Sequence, residues 1–281
     1  MIYHCYMRHG NRQHEFCIYI RTVPCNASAM ARVERATTEQ TIEALLQASR
    51  RDVLPLSYRF VQHRTEEDRG TAGPLAEFVK AHNLRGLHQY FLAHAVASGG
   101  EFEVTRDSRV WARALGLDDE KDSSRAAVSK GWNWLRQRGL IERGRRGRLA
   151  KITLLRDDAS GLPYQHPADL KQPYLAFPYA FWRQGWHERL DLPATAVLLI
   201  GMTLRPSFIL PQSHVQEWYG ISATTLSKGI QALRKADLLA VKRDTEVAPL
   251  APRGFRYVYR YTILEPFDRR PSARKKVGEP T

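Results

Sequence analysis

The sequence predicts a mainly α fold with small β-hairpins, of the α+β class, made from two copies of one unit in a single chain. Three observations predict it. Apolar residues recur at helical spacing between capping residues and glycines. Short alternating segments flank Gly-rich turns. The second half of the chain then repeats the element order of the first.

The elements follow in order. Thr37 with Gln40 makes a capping-box pattern, and Ile42, Leu45 and Leu46 form an apolar stripe, predicting a helix over 37–51. Residues 64–74 are charged, then Gly/Pro-rich, and read as a linker. Leu84, Leu87, Phe91 and Ala95 share one side of a helix over 84–97, closed by Ser98-Gly99-Gly100. Phe102 and Val104 suit a short strand, and Asp107 or Ser108 caps a helix to Leu115, closed by Gly116. Asp122 to Ser124 supply the cap of the next helix, which runs to Arg138 and stops at Gly139. Leu140 opens a strand, Gly144 to Arg148 is a turn, and Leu149 to Leu155 returns. Residues 157–173, rich in Asp, Gly and Pro, read as a second linker.

Tyr174, Phe177, Tyr179, Phe181, Trp182 and Trp186 then crowd together. They suit core, an interface between the two units, or a stacking surface for single strands, and packing is the default for such residues. After them the order recurs. Pro193 starts a helix to Thr203, Ser207 to Leu210 is a short strand, and Pro211 starts a helix ending at Gly220. Ser222 caps a helix to Lys235, and strands Leu238 to Arg243 and Phe255 to Leu264 close the series.

The repeat is also one of residues. Ser124 aligns with Ser222, Ser129-Lys130-Gly131 with Ser227-Lys228-Gly229, Leu135-Arg136 with Leu233-Arg234, and Leu140-Ile141 with Leu238-Leu239. Lys151 to Leu155 resembles Arg260 to Leu264 after a longer second turn, and Asp118 to Ser123 has no counterpart. The predicted organisation is a leader (1–29), an N-terminal helix and linker (30–72), a first unit (73–157), a linker (158–173), a second unit (174–265) and a basic tail (266–281).

Composition bounds the function. The chain has 281 residues, 43% hydrophobic and 26% charged, ordinary for a globular protein with a real core. Its longest apolar stretch, Ala194 to Leu204, falls short of the ~20 residues a membrane span needs. Cys5, Cys17 and Cys25 fit no zinc pairing despite His4, His9 and His14 nearby, so residues 1–29 read as a leader rather than a metal site. A chain without cysteine thereafter suits the cytoplasm. Walker, HExxH, GxSxG and Rossmann patterns are missing, and Asp118-Asp119-Glu120 reads as an exposed loop, so the expectation is no enzyme, no metal and no cofactor.

Charge supplies the positive signal. The net is +14, and the excess sits in three segments: 136–156, 222–264 and 267–281. Such clustering is the footprint of a polyanion partner, nucleic acid before membrane.

With Val215, then Gly220-Ile221-Ser222, then Leu226 and Leu233, the second unit resembles the winged helix-turn-helix, although Gln216 stands where that family usually carries Ala. The resemblance implies a third helix entering the major groove and a wing lying over the backbone. Its outward positions would be Ser124, Arg125, Ser129, Lys130 and Asn133 in the first unit. In the second they would be Ser222, Thr224, Thr225, Ser227, Lys228 and Gln231. Arg143, Arg145, Arg146, Arg148 and Arg253 would be the wing cations. The function expected is sequence-specific binding of double-stranded DNA as a transcription regulator. Replication initiation, which plasmid initiators of similar tandem arrangement perform, is the alternative, and a protein-binding adaptor is the third. Whether the chain forms a homodimer is left open.

Overall fold

A computed structural model of the chain describes residues 35–63, 70–97 and 101–268. The leader with its cysteines, the Ser98-Gly99-Gly100 signal, residues 64–69 of the first linker and most of the basic tail lie outside the described residues.

Helix α1 (Thr38–Gln47) starts at the expected capping box: the Thr37 hydroxyl accepts from the Gln40 amide, and the Gln40 side chain accepts from the Thr37 amide. Strand β1 (Val53–Ser57), a 3-10 turn (Tyr58–Phe60) and the short pair β2 (Gln62–His63) and β3 (Thr71–Ala72) follow. Then comes helix α2 (Leu75–Lys80). The end of the expected linker is thus structured. Its Gly73 is pressed against backbone, since a Cβ there would meet the Arg59 carbonyl oxygen at 2.4 Å.

The first repeat comprises α3 (Leu84–Val96), β4 (Glu103–Arg106), α4 (Ser108–Ala114), α5 (Asp122–Gln137), β5 (Ile141–Arg146) and β6 (Leu149–Leu154). Its antiparallel sheet has the order β4-β6-β5. The expected α5 cap is corrected: Lys121 holds that position without a side-chain bond, so the helix starts about one turn earlier relative to its repeat partner. The expected five-residue turn shrinks to Gly147-Arg148, with Gly147 at φ +61°.

Strand β7 (Tyr174–Pro178) pairs antiparallel with β1, and short helices α6 (Ala180–Arg183) and α7 (Trp186–Arg189) follow. The second repeat is α8 (Leu192–Thr203), a single bridge between Phe208 and Tyr261, α9 (Val215–Tyr219), α10 (Ala223–Lys235), β8 (Leu239–Val247) and β9 (Phe255–Ile263). Asp191 caps α8, which is buried nearly all round, as a helix apolar on every side must be. Helix α9 is shorter than expected: the residues after Pro211 form a turn, and regular helix begins only at Val215. With β1–β7, the β4-β6-β5 sheet and the nine-pair β8–β9 ladder, the fold is α+β with small antiparallel sheets rather than mainly α.

One apolar core runs through these elements. The aromatic segment is mostly inside it: Phe177 packs on Phe91, Phe181 and Phe267 at ring-centroid distances of 5.4, 5.0 and 5.7 Å. Phe267, at the start of the expected tail, is therefore core. Helix α2 bridges the repeats. Phe78 lies 4.6 Å from the Trp134 ring of α5, while a Cβ on Gly220 would meet Ala76 Cβ at 2.6 Å.

The glycines shared by the two repeats have one job. In each repeat the third helix crosses the first closely at this glycine. A Cβ on Gly131 would lie 2.0 Å from Gln89 Oε1, and one on Gly229 would lie 2.4 Å from the Pro193 carbonyl oxygen. Buried polar groups accompany this packing. Asp157 accepts from the Ser57 amide at 2.6 Å, and burial pushes its carboxyl up to about 7. Burial pushes His88 down to about 4 and His94 down to about 3.

Candidate nucleic-acid interface

Helix α5 buries Ser124, Val128, Trp132 and Leu135. The expectation that Ser124 faces outward is corrected. It stands four residues before Val128, so helical spacing puts it on the inner stripe. Lys130 and Asn133 are exposed, and Ser129 and Arg125 are partly exposed. Arg125 is paired with Asp122.

Arg143 draws three expected contact residues together. From strand β5 its guanidinium turns back onto α5, donating to Ser129 Oγ at 3.0 Å, to the Ser129 carbonyl at 3.3 Å and to Asn133 Oδ1 at 2.8 Å. Burial, then the nearby Arg136 and Arg145, hold its pKa below the usual arginine value. Arg143 is therefore a strut fixing hairpin to helix, not a free wing cation. Asn133 keeps its NH2 for an outside acceptor.

The other three wing arginines divide between faces. Side chains alternate along a strand, so Arg145 falls on the Arg143 side, opposite Ala150, while Arg146 falls on the other side, opposite Leu149. There Arg146 lies 4.0 Å from Glu103, which also pairs with Lys151. Arg148 sits exposed at the turn. The run Arg145 to Arg148 is thus two cations toward α5 or the tip and one on the far face.

The second repeat presents a plainer surface. Ser222 caps α10, its hydroxyl accepting from the Thr225 amide at 3.1 Å. Leu226, Gly229 and Leu233 face inward. Thr224, Lys228 and Gln231 are exposed, and Thr225 and Ser227 partly so; Arg234 and Lys235, not expected as contacts, extend the polar face. Arg253 is exposed in the turn between β8 and β9.

The β8–β9 hairpin has two faces of unlike chemistry. One carries an ion ladder: Asp244 pairs with Lys242 and Arg260, and Glu246 with Arg256 and Arg260. The Lys242 ammonium beside Asp244 holds its carboxyl below the usual range. The other face carries Arg243, Phe255, Tyr257 and Tyr259, with Tyr257 49% and Tyr259 47% exposed. This face is absent from the sequence-based expectations, though period-two aromatics at 255, 257, 259 and 261 signal it.

Among the described residues no helix is long and apolar enough to cross a membrane, and no group of three or more His, Cys, Asp or Glu could hold a metal ion. No family model, curated protein or solved structure matches the chain.

Proposed function

We propose that this chain is a sequence-specific double-stranded DNA-binding protein, a transcription regulator, with two winged helix-turn-helix units. One observation carries the reading. The order helix, strand, helix, helix, hairpin occurs twice, and each time the early strand lies beside the returning strand of the hairpin: β4 on β6, Phe208 on Tyr261. Each third helix then has a polar outer face next to a cationic hairpin.

In this reading Lys130 and Asn133 on α5, and Thr224, Lys228 and Gln231 on α10, reach base edges in the major groove. Arg145, Arg148 and Arg253 neutralise phosphates, which anchors the protein without reading sequence. Two units joined by one core would address two half-sites from a single chain in the cytoplasm.

The test is binding to pooled genomic fragments across a salt titration, followed by sequencing of the bound pool. A steep loss of affinity with salt and one enriched motif are expected. No binding at low salt would refute DNA recognition and leave an adaptor role.

Replication initiation is the second reading. It is favoured by α2 touching both repeats, at Trp134 of α5 and at Gly220 just before α10, since two units in one body suit a protein gripping repeated sites. Enrichment of repeated sites beside an origin, with local melting, would select it over a promoter-restricted footprint.

A further inference from the structure

We propose that the aromatic face of the β8–β9 hairpin, centred on Tyr257 and Tyr259 with Arg243, is a stacking platform for the unpaired bases of single-stranded DNA. This goes beyond duplex recognition and stands on different residues.

The two hairpins are built on the same register but carry different chemistry. In the first, Arg145 stands opposite Ala150; at the matching rung of the second, Arg243 stands opposite Tyr259. The second ladder then continues for further rungs, placing Tyr257 opposite Thr245 and Phe255 opposite Val247. The base of this face, at Leu239 and Ile263, is buried in the core, but the added rungs extend past it. Val247, Leu250, Tyr257 and Tyr259 on this one hairpin are half of the large exposed apolar residues among those described. Exposed apolar residues gathered on one hairpin mark it as a contact surface.

Charge selects the occupant. Both acids of the hairpin strands, Asp244 and Glu246, lie on the opposite face and are paired there with cations. The aromatic face carries no carboxylate in its register, and its Arg243 lies 4.7 Å from the Tyr257 ring centroid. A guanidinium beside exposed rings suits a polyanion whose bases offer π-faces. Spacing selects the unpaired form. Phe255 and Tyr257, two residues apart on this strand, have ring centroids 5.6 Å apart with planes at 76°. That is well beyond the ~3.4 Å base separation along a duplex strand, so an unstacked strand rather than stacked duplex bases suits successive rings.

The test is fluorescence anisotropy of a labelled thymidine 15-mer with the full chain. Affinity should fall about 5- to 150-fold for each ring removed in Tyr257→Ala and Tyr259→Ala. Tyr→Phe at both sites should stay within about twofold, because stacking needs the ring and not the hydroxyl. The alanine variants should melt as the parent does and keep its duplex affinity, which separates this proposal from the duplex reading. The proposal is overturned if the parent fails to bind the oligonucleotide at low salt, or if the double alanine variant binds it unchanged. It is also overturned if sedimentation shows a dimer that the double variant breaks while single-strand affinity is unaltered, since the face would then join two copies of the chain.

Discussion

Gly229→Ala tests the close packing of α10 on α8. The new Cβ would lie 2.4 Å from the Pro193 carbonyl oxygen, 2.9 Å from its carbonyl carbon and 2.5 Å from Val197 Cγ2. Comfortable carbon contacts are ~3.5–4.0 Å, so α10 must retreat from α8 by roughly 1 Å. Two of the three obstructing atoms are backbone of a capped, buried helix and cannot swing aside. Overpacking of this kind costs about 1–3 kcal/mol, and the upper end applies because Leu226 and Leu233 retreat with the helix. Alanine returns about 1 kcal/mol of helix propensity. The net loss is ~2 kcal/mol, or about 4–8 °C in Tm at this chain length. Gly131→Ala differs in kind. Its Cβ meets only the Gln89 side chain, which can rotate if it gives up the 3.0 Å bond from Nε2 to the Val128 carbonyl. Adding Gln89→Ala to Gly131→Ala should therefore recover stability. No second substitution of one side chain should rescue Gly229→Ala. Thermal melting by circular dichroism decides it. If Gly229→Ala melts at or above the parent temperature, the helices do not cross this closely and the account of the repeated glycines is wrong.

Other outcomes follow from the same structure. Stability should peak near pH ~7. His88 and His94 have folded pKa values of about 4 and about 3, below the unfolded ~6.5, so the stability they contribute is present above ~6.5 and is lost as the pH falls. Asp157, at about 7 when folded against ~3.9 unfolded, acts the other way: its contribution of ~4 kcal/mol is present in acid and lost as the pH rises through about 7. Asp157→Asn should flatten that descent and raise the melting temperature at pH 8; an unchanged pH profile would refute the burial argument. On duplex DNA, Arg145→Ala with Arg148→Ala should lower the salt slope by ~1.8, at ~0.9 for each phosphate that is no longer neutralised. Arg146→Ala, across the hairpin beside Glu103, should change the slope little, and equal effects at all three arginines would show that the two-face division is irrelevant to binding. Lys130→Ala and Lys228→Ala should each cost ~1–3 kcal/mol on the cognate site and less on random duplex, measured by competition binding.

Local signals in the sequence are readable where local physics decides. The capping box at Thr37, the left-handed Gly220 and the inner stripe of α10 all stand where spacing puts them. Long-range partners are not readable. Strand β1 pairs with β7 across more than a hundred residues, and nothing in Val53–Ser57 names Tyr174–Pro178 as its mate. Helix α2 is six residues long, too short to display a period, and follows a composition that resembles a linker. Ser124 aligns with Ser222, a true cap, and the alignment misleads. The segment 118–123, which the second repeat lacks, lets α5 begin one turn earlier and turns the same residue type inward. The wing arginines form a run in the sequence, and only the strand register shows that neighbours face opposite ways.

The two repeats hold hairpin to helix by different means, and this bears on how each could be tuned. At the rung where Arg143 braces Ser129 and Asn133 in the first repeat, the second has Val241, partly buried against the core. An apolar attachment is indifferent to what binds the helix. A guanidinium strut is not: Ser129 and Asn133 lie on the helix face proposed to meet DNA, and a phosphate placed near Arg143 competes with the bonds it makes to them. In the DNA-binding reading, a ligand at this face would compete for Arg143, while buried Ile141 and Ile152 keep the base of the first hairpin in the core, as Leu239 and Ile263 keep that of the second. Arg143→Met keeps the stem and removes the donors, so it should leave the fold intact yet loosen the first hairpin. Hydrogen exchange should rise in Ile141–Arg146 and stay unchanged in Leu239–Val247. Equal protection of Ile141–Arg146 in parent and variant would mean that the strut does not set the hairpin's position.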